Sequence, residues 1–391
     1  MQRRRETSGS GGRRLPAGVG YCILVFVIVR CLVTLVSFAG AEFGHARIVY
    51  SLPGWPQHAV TEGPHNLVSA LERQDALWYL AIANKGYSPD DGSAAFFPLF
   101  PIAVRGLSWA IGGHLLAAGI VVSNGSFLGA LLILYSLTRR ELSEEAARRT
   151  VLYISVFPTS FFFFAPYSES TFLLLAVSAF WAVRRRAWPL AGVSGALASA
   201  TRGIGAFLAP ALAMEAVHQW FEDRRARALV QRLAWSAVAT LGLLSYLAYW
   251  STRGGALAPL RFQSNWQRVP MFPVRTLVLA TKIALAPGGL YSLLDWLIVI
   301  PVILAAAYGL VRFRPAYSVY VWAGILAPLS LVFEQRPLMS VPRFVLPLFP
   351  IFWSFAALTG KSRLGLVILV AVFLGGFVPL TVMFVNAQFI F

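Results

Sequence analysis

Charge is scarce in this chain, and acid is scarcer than base. Of 391 residues 13% are charged, with 16 Asp and Glu against 33 Lys and Arg, whereas a soluble globular domain runs near a quarter charged. Cysteine is almost missing. Cys22 and Cys31 stand nine positions apart in one apolar run, on opposite faces of a helix turning about 100° per residue, so no disulfide is implied. The five histidines, His45, His58, His65, His114 and His218, form no close metal-ligand spacing. A Walker A loop, a dinucleotide glycine fingerprint and CxxC pairs are lacking as well. ATP-driven transport and zinc chemistry therefore lose support.

What the chain has instead is apolar length. Hydrophobic residues make up 58%, and runs such as Tyr21–Gly40, Leu115–Leu137 and Leu364–Phe384 supply the roughly 20 apolar residues that a membrane-spanning helix needs. The first run is too long, and too closely followed by others, for a cleaved signal peptide. The net charge of +17 would suggest nucleic acid in a soluble protein, but here it is sorted by loop. Arg3-Arg4-Arg5 with Arg13-Arg14, Arg139-Arg140 with Arg148-Arg149, Arg184-Arg185-Arg186, Arg224 to Arg232, Arg312 with Arg314, and Lys361 with Arg363 recur in every second loop. This is the positive-inside pattern, and it reads the basicity as orientation rather than nucleic-acid binding.

The expected fold is an all-α polytopic membrane protein. A basic cytoplasmic tail (1–17) precedes one transmembrane domain (18–391) with about eleven spans: 18–40, 114–138, 150–166, 168–183, 188–203, 205–221, 233–251, 290–311, 317–333, 344–359 and 364–386. Two outer loops, 41–113 and 252–289, exceed the others in length and are where function is sought. The apolar stretch 94–113 is assigned to the membrane interface, because counting it as a span would turn the Arg139–Arg149 loop outward.

Chemistry concentrates in four motifs. In "RQDALWYLAIA" (73–83), Asp75, Trp78, Tyr79 and Ile82 share one helical face, with Asp75 at the end where the helix dipole favours a carboxylate. The stretch "FPTSFFFFAPYSES" (157–170) carries Tyr167, Ser168 and Glu169 at the tip of a turn, and an acid at membrane depth calls for a partner or a cavity. "ATRGIG" (200–205) and "SVPRFVLPLFP" (340–350) carry Arg202 and Arg343. With Lys282 and Lys85, these outer cations beside apolar walls suit a lipid phosphate. Simpler readings exist for each: a helix cap for Asp75, Ser168 or Glu169, and interfacial snorkelling for the cations. Asp90-Asp91 could recruit a divalent metal but also reads as a solvated turn. The sequon Asn124-Gly125-Ser126 falls inside an expected span.

Taken in order, "RQDALWYLAIANKGY…FFPLFP", "PTSFFFFAPYSES", "ATRGIG" and "SVPRFVLPLFP" resemble the PIG-V family of mannosyltransferases, in a bacterial form, within the GT-C superfamily of integral-membrane glycosyltransferases. Gln74 stands where that family typically carries tryptophan before the aspartate. The resemblance implies inverting transfer of mannose, or another hexose, from a polyprenyl-phosphate sugar to a lipid, glycan or protein acceptor. The reaction would take place on the outer face of a bacterial plasma membrane, with the N-terminus cytoplasmic and Asp75 as general base. Arg202 and Arg343, then Lys282 and Lys85, would meet the donor phosphate, and Glu169, Tyr167, Ser168 and Trp78 the sugar or acceptor, with Glu169 alternatively orienting Arg202. A transporter or flippase of lipid-linked sugars is the competing expectation, and a structural subunit the third. No convincing inverted repeat supports transport, and Arg30 is nearly alone as a charge within a span.

Overall fold

The computed structural model describes residues 17–44, 52, 63–265 and 267–386; residues 1–16 of the expected tail, and most of 45–62 in the first outer loop, lie outside them. The chain is helical almost throughout. It runs α1 (Ala17–Phe43), α2 (Asn66–Ser69), α3 (Asp75–Lys85), α4 (Leu99–Ala110), α5 (Leu115–Glu141), α6 (Glu144–Val156), α7 (Glu169–Arg184), α8 (Trp188–Thr201) and α9 (Leu208–Asp223). The second half comprises α10 (Ala226–Val238), α11 (Leu241–Ser251), α12 (Ala258–Asn265), α13 (Pro273–Leu285), α14 (Leu290–Arg312), α15 (Pro315–Ser330), α16 (Val341–Phe344), α17 (Pro350–Thr359) and α18 (Arg363–Val385). Two short strands, β1 (Arg268–Pro270) and β2 (Leu331–Phe333), pair antiparallel, with Arg268 opposite Phe333.

This is an integral membrane protein. Among the described residues α1, α5, α14 and α18 are long and apolar enough to cross a membrane, and α10 with α11, bent by 44°, makes a fifth. Helix length thus does not reproduce the expected eleven spans. The inner helices α6, α7, α8, α9 and α15 have only 13 to 16 residues. They pack against one another and against α5, and backbone shielded by protein at membrane depth need not stay in one continuous helix.

Four expected spans are redrawn by this logic. Residues 150–166 are not one helix: α6 stops at Val156, before Pro158, and 157–168 runs as a compact buried segment. Side chains satisfy backbone groups within it and beside it, which is the purpose of the polar residues in so apolar a stretch. Ser160 Oγ donates to Ser155 O (2.7 Å), Ser170 Oγ to Phe163 O (2.7 Å), Asn124 Nδ2 to Phe164 O (3.1 Å), Ser123 Oγ to Tyr167 O (3.1 Å), and Thr159 Oγ1 to Pro342 O (2.9 Å). Asn124 therefore serves the core.

The expected span 233–251 begins earlier, at Ala226, and kinks at Ala239. Ser199 of α8 bridges the break, donating to Ala239 O (2.7 Å) and accepting from Leu243 N (3.2 Å). Gly242 lets α11 approach so closely, since a Cβ there would stand 2.0 Å from Ala196 O. Residues 317–333 end as strand β2, because Met271 N and β1 take up the backbone groups that a longer helix would have used. Residues 344–359 split into α16 and α17 around Pro347 and Pro350. The apolar 94–113 stretch folds as the 12-residue α4, too short to cross, packed on α3, α5 and α8.

Candidate active site

The four motifs converge. Asp75 opens α3, Glu169 opens α7, Arg202 follows the last turn of α8, and Arg343 lies on α16. Arg343 Nη1 donates to Asp75 Oδ2 and its Nε to Glu169 Oε1, both at 2.5 Å. Arg202 Nη1 donates to the same Glu169 oxygen (2.5 Å) and to Ser168 Oγ (3.3 Å). Two guanidiniums thus share one buried carboxylate, and one of them reaches on to Asp75.

Exposure separates the members. The Glu169 side chain is 0% exposed and those of Arg202 and Arg343 are 7% and 8%, while Asp75 keeps 35%. Glu169 fixes the arginines; Asp75 is the carboxylate that a molecule arriving from outside can touch. Aromatic faces complete the wall: Arg343 lies 4.6 Å over the Tyr167 ring and 5.1 Å over Phe162, and Arg202 lies 4.8 Å over Phe344. Such stacking holds a guanidinium in place without neutralising it.

Each element is fixed locally. α3 starts abruptly because Gln74, before it, adopts φ 52°, ψ −120°, a conformation that costs a non-glycine residue on the order of 1–3 kcal/mol and persists only where its surroundings impose it. Those surroundings are visible: Arg73 Nε donates to Val385 O at the end of α18 (2.9 Å), and Arg73 O accepts from Tyr167 OH (2.8 Å). The Tyr79 and Ser168 hydroxyls meet at 2.7 Å, and burial pushes the Tyr79 phenol up to about 12, keeping it protonated. Gly205 lets the chain fold back after Arg202, since a Cβ there would lie 2.5 Å from the Ala198 backbone.

The remaining sequence-selected residues either support the cluster from within or sit elsewhere. Tyr167 and Ser168 are fully buried, with the Tyr167 ring against Arg343 and its hydroxyl on Arg73, so neither offers a face to a sugar. Trp78 stacks on Phe96 (5.5 Å) and lines a cleft of about 410 Å³ with Ile82, Lys85, Asp90, Asp91 and Ser93. Lys85 ends α3, ten residues and about 15 Å of helix from Asp75. Lys282 is exposed near the end of α13 and makes no ion pair with the described residues. Asp91 Oδ1 accepts from Ser93 N (2.9 Å), closing a turn. Among the described residues no three His, Cys, Asp or Glu come together.

Sequence reasoning passed over Arg268. It lies within electrostatic reach of Asp75, Arg343 and Arg202, stacks 5.9 Å from Phe344, and donates from Nη2 to Ser340 Oγ (2.7 Å). It belongs to the long second loop, in "RFQSNWQRVP". A basic residue that close to the first loop was invisible without the β1–β2 pairing that folds it inward.

The whole bundle is similar to the crystal structure of ArnT from Cupriavidus metallidurans bound to undecaprenyl phosphate, with TM-score 0.51 and 16% identity over 96% of this chain and 77% of that one. The apo form of the same protein gives TM-score 0.50 over 96% and 78%. An apo oligosaccharyltransferase from Archaeoglobus fulgidus matches more weakly, with TM-score 0.46 and 15% identity over 94% of this chain and 56% of that one. At this identity the likeness is one of fold, a bundle of helices set in a membrane. Residues 18–253, more than half of the chain, match the mannosyltransferase (PIG-V) family, and the protein belongs to it. No curated protein sequence matches.

Proposed function

We propose that the protein transfers a mannosyl residue, with inversion, from a polyprenyl-phosphate sugar to an acceptor hydroxyl on the extracytoplasmic side of the membrane. Asp75 is the general base. The observation that carries this reading is the pairing of one solvent-accessible carboxylate with a buried cluster of arginines.

Inverting transfer needs two things on opposite faces of the sugar. One is a base within about 2.6–3.2 Å of the attacking hydroxyl. The other is fixed positive charge where the leaving phosphate develops its own, and such charge acts most strongly in a site poor in water. Asp75 answers the first and the arginines the second. Glu169 holds Arg202 and Arg343 in register rather than meeting the sugar, in keeping with its complete burial. The cleft along Trp78 and Lys85 continues the stripe of α3 from Asp75 and suits the acceptor side.

An accessible carboxylate beside arginines walled by Phe162 and Phe344, among membrane helices, suits a donor whose prenyl chain stays in lipid. The likeness of the fold to a protein solved with undecaprenyl phosphate is in keeping with that. Transfer of labelled mannose from synthetic polyprenyl-phosphate mannose to a membrane extract, by purified protein in lipid, tests the reading. Wild type should yield labelled product; absence of product, in a preparation that binds the donor, would direct attention to another sugar or acceptor.

A further inference from the structure

We propose that Arg268, carried inward by the β1–β2 ribbon, grips the phosphate of the lipid-linked donor, with Arg202 beside it on the Phe344 ring. This rests on the donor reading above and assigns the contact to a residue outside the recognised motifs.

The reason is which positive charge is left over. Arg343 is committed to Asp75 and Glu169, and Arg202 to Glu169. Arg268 has no carboxylate within ion-pair distance among the described residues; its protein hydrogen bond runs to the neutral Ser340 hydroxyl. Its Nε and Nη1 have no partner among the described residues and are not sealed from solvent. Three guanidiniums face two carboxylates, so the resting cluster carries one surplus positive charge. Burial and the neighbouring guanidiniums of Arg343 and Arg202 disfavour that charge, and only Asp75 opposes them. Arginine does not solve the problem by losing its proton. An entering anion does.

A sugar phosphodiester brings one negative charge, which matches the surplus. In the transfer itself the bond between the sugar C1 and the phosphate oxygen breaks, and its electron pair leaves with the phosphate. The acceptor oxygen forms the new bond to C1, and its proton passes to Asp75. The phosphate gains a charge as Asp75 loses one, so the cluster stays balanced while Arg343, released from a neutral Asp75, turns to the phosphate. Donor binding has a second effect on the same geometry. A phosphate competing for the Arg343 guanidinium frees the Asp75 carboxylate for the acceptor hydroxyl only when donor is present.

The test uses the full chain in nanodiscs of phosphatidylcholine, with farnesyl phosphate and inorganic phosphate as separate probes and binding, not transfer, as the readout. Removing a charged hydrogen-bond donor from the phosphate should weaken farnesyl phosphate binding by about tenfold or more in Arg268→Ala. Arg268→Lys should recover part of it, and Ser340→Ala, which leaves the guanidinium but frees its orientation, should lose less than Arg268→Ala. Thermal unfolding of each variant shows that the fold is kept. Wild-type affinity in a folded Arg268→Ala overturns the proposal, whatever the fate of the transfer assay. Binding that depends on Arg268 but is equally tight for inorganic phosphate overturns the prenyl-linked donor as its ligand. Arg268-dependent binding of farnesyl phosphate without mannose transfer leaves the assignment standing and puts the sugar or acceptor in error.

Discussion

The two ends of α7 carry opposite solutions to the same problem. At its start, Glu169 gathers Arg202 and Arg343, with Asp75 half open to solvent and Arg268 unmatched. At its end, about 22 Å away along the axis, Arg184 sits between Glu141 (2.6 Å) and Glu215 (2.9 Å), and Glu215 also takes Arg314 (3.2 Å) and Gln219 (3.1 Å). Arg184 and Arg314 both have carboxylates there, and those of Glu141 and Glu215 are 9% and 1% exposed. Buried ion pairs alone therefore say little about chemistry. What distinguishes the start of α7 is an accessible acid together with surplus positive charge; its other end is a staple joining α5, α7, α9 and the start of α15.

Removing a central acid from each end sharpens the contrast. Glu169→Ala strands the buried Arg202 and leaves Arg343 only the partly exposed Asp75, which should cost about 3–5 kcal/mol of stability and abolish transfer even in the fraction that remains folded. Glu215→Ala should be milder, about 1–3 kcal/mol, because Arg184 keeps Glu141 and Arg314 keeps Glu222. Transfer per folded molecule should be nearly unchanged in Glu215→Ala. Chemical unfolding and transfer assays on the same preparations separate the two effects, and equal loss of specific activity at both ends would erase the distinction drawn here. The smallest expected effect is at Gln74. Gln74→Gly should relieve the strained turn by about 1 kcal/mol and raise the melting temperature. Transfer should slow, because Asp75 then begins a looser helix; a variant both less stable and equally active would mean the strain serves no positioning role.

The comparison also shows what could be read from the chain alone. Asp75, Glu169, Arg202 and Arg343 could be picked out because each is a charge in apolar, proline- or glycine-marked surroundings, where a charge without a partner is expensive. Of their mutual contacts only the Arg202–Glu169 pair could be suggested, by a lone outer arginine in need of a partner; the links through Arg343 to Glu169 and Asp75 could not, since these residues lie up to 268 positions apart in sequence. The helical membrane class followed from composition, but the number of spans did not follow from hydropathy. The interior helices are short and interrupted, and Ser123, Asn124, Thr159, Ser160, Ser170 and Ser199 satisfy the broken backbone in ways no apolar window registers. Tyr167 looked like a platform for sugar and is a platform for Arg343 instead, because its neighbours in "FFFFAPYSES" bury it completely. Arg268 was missed because a three-residue strand gives almost no periodic signal.

The central claim, that Asp75 is the general base, is tested most directly by comparing wild type with Asp75→Asn in transfer from polyprenyl-phosphate mannose, with thermal unfolding measured alongside. Loss of a general base costs about 10²–10⁴-fold in rate, and a partly exposed carboxylate contributes little to stability. The account predicts that loss in a protein that still folds and still binds farnesyl phosphate; transfer by Asp75→Asn within a few-fold of wild type would contradict it.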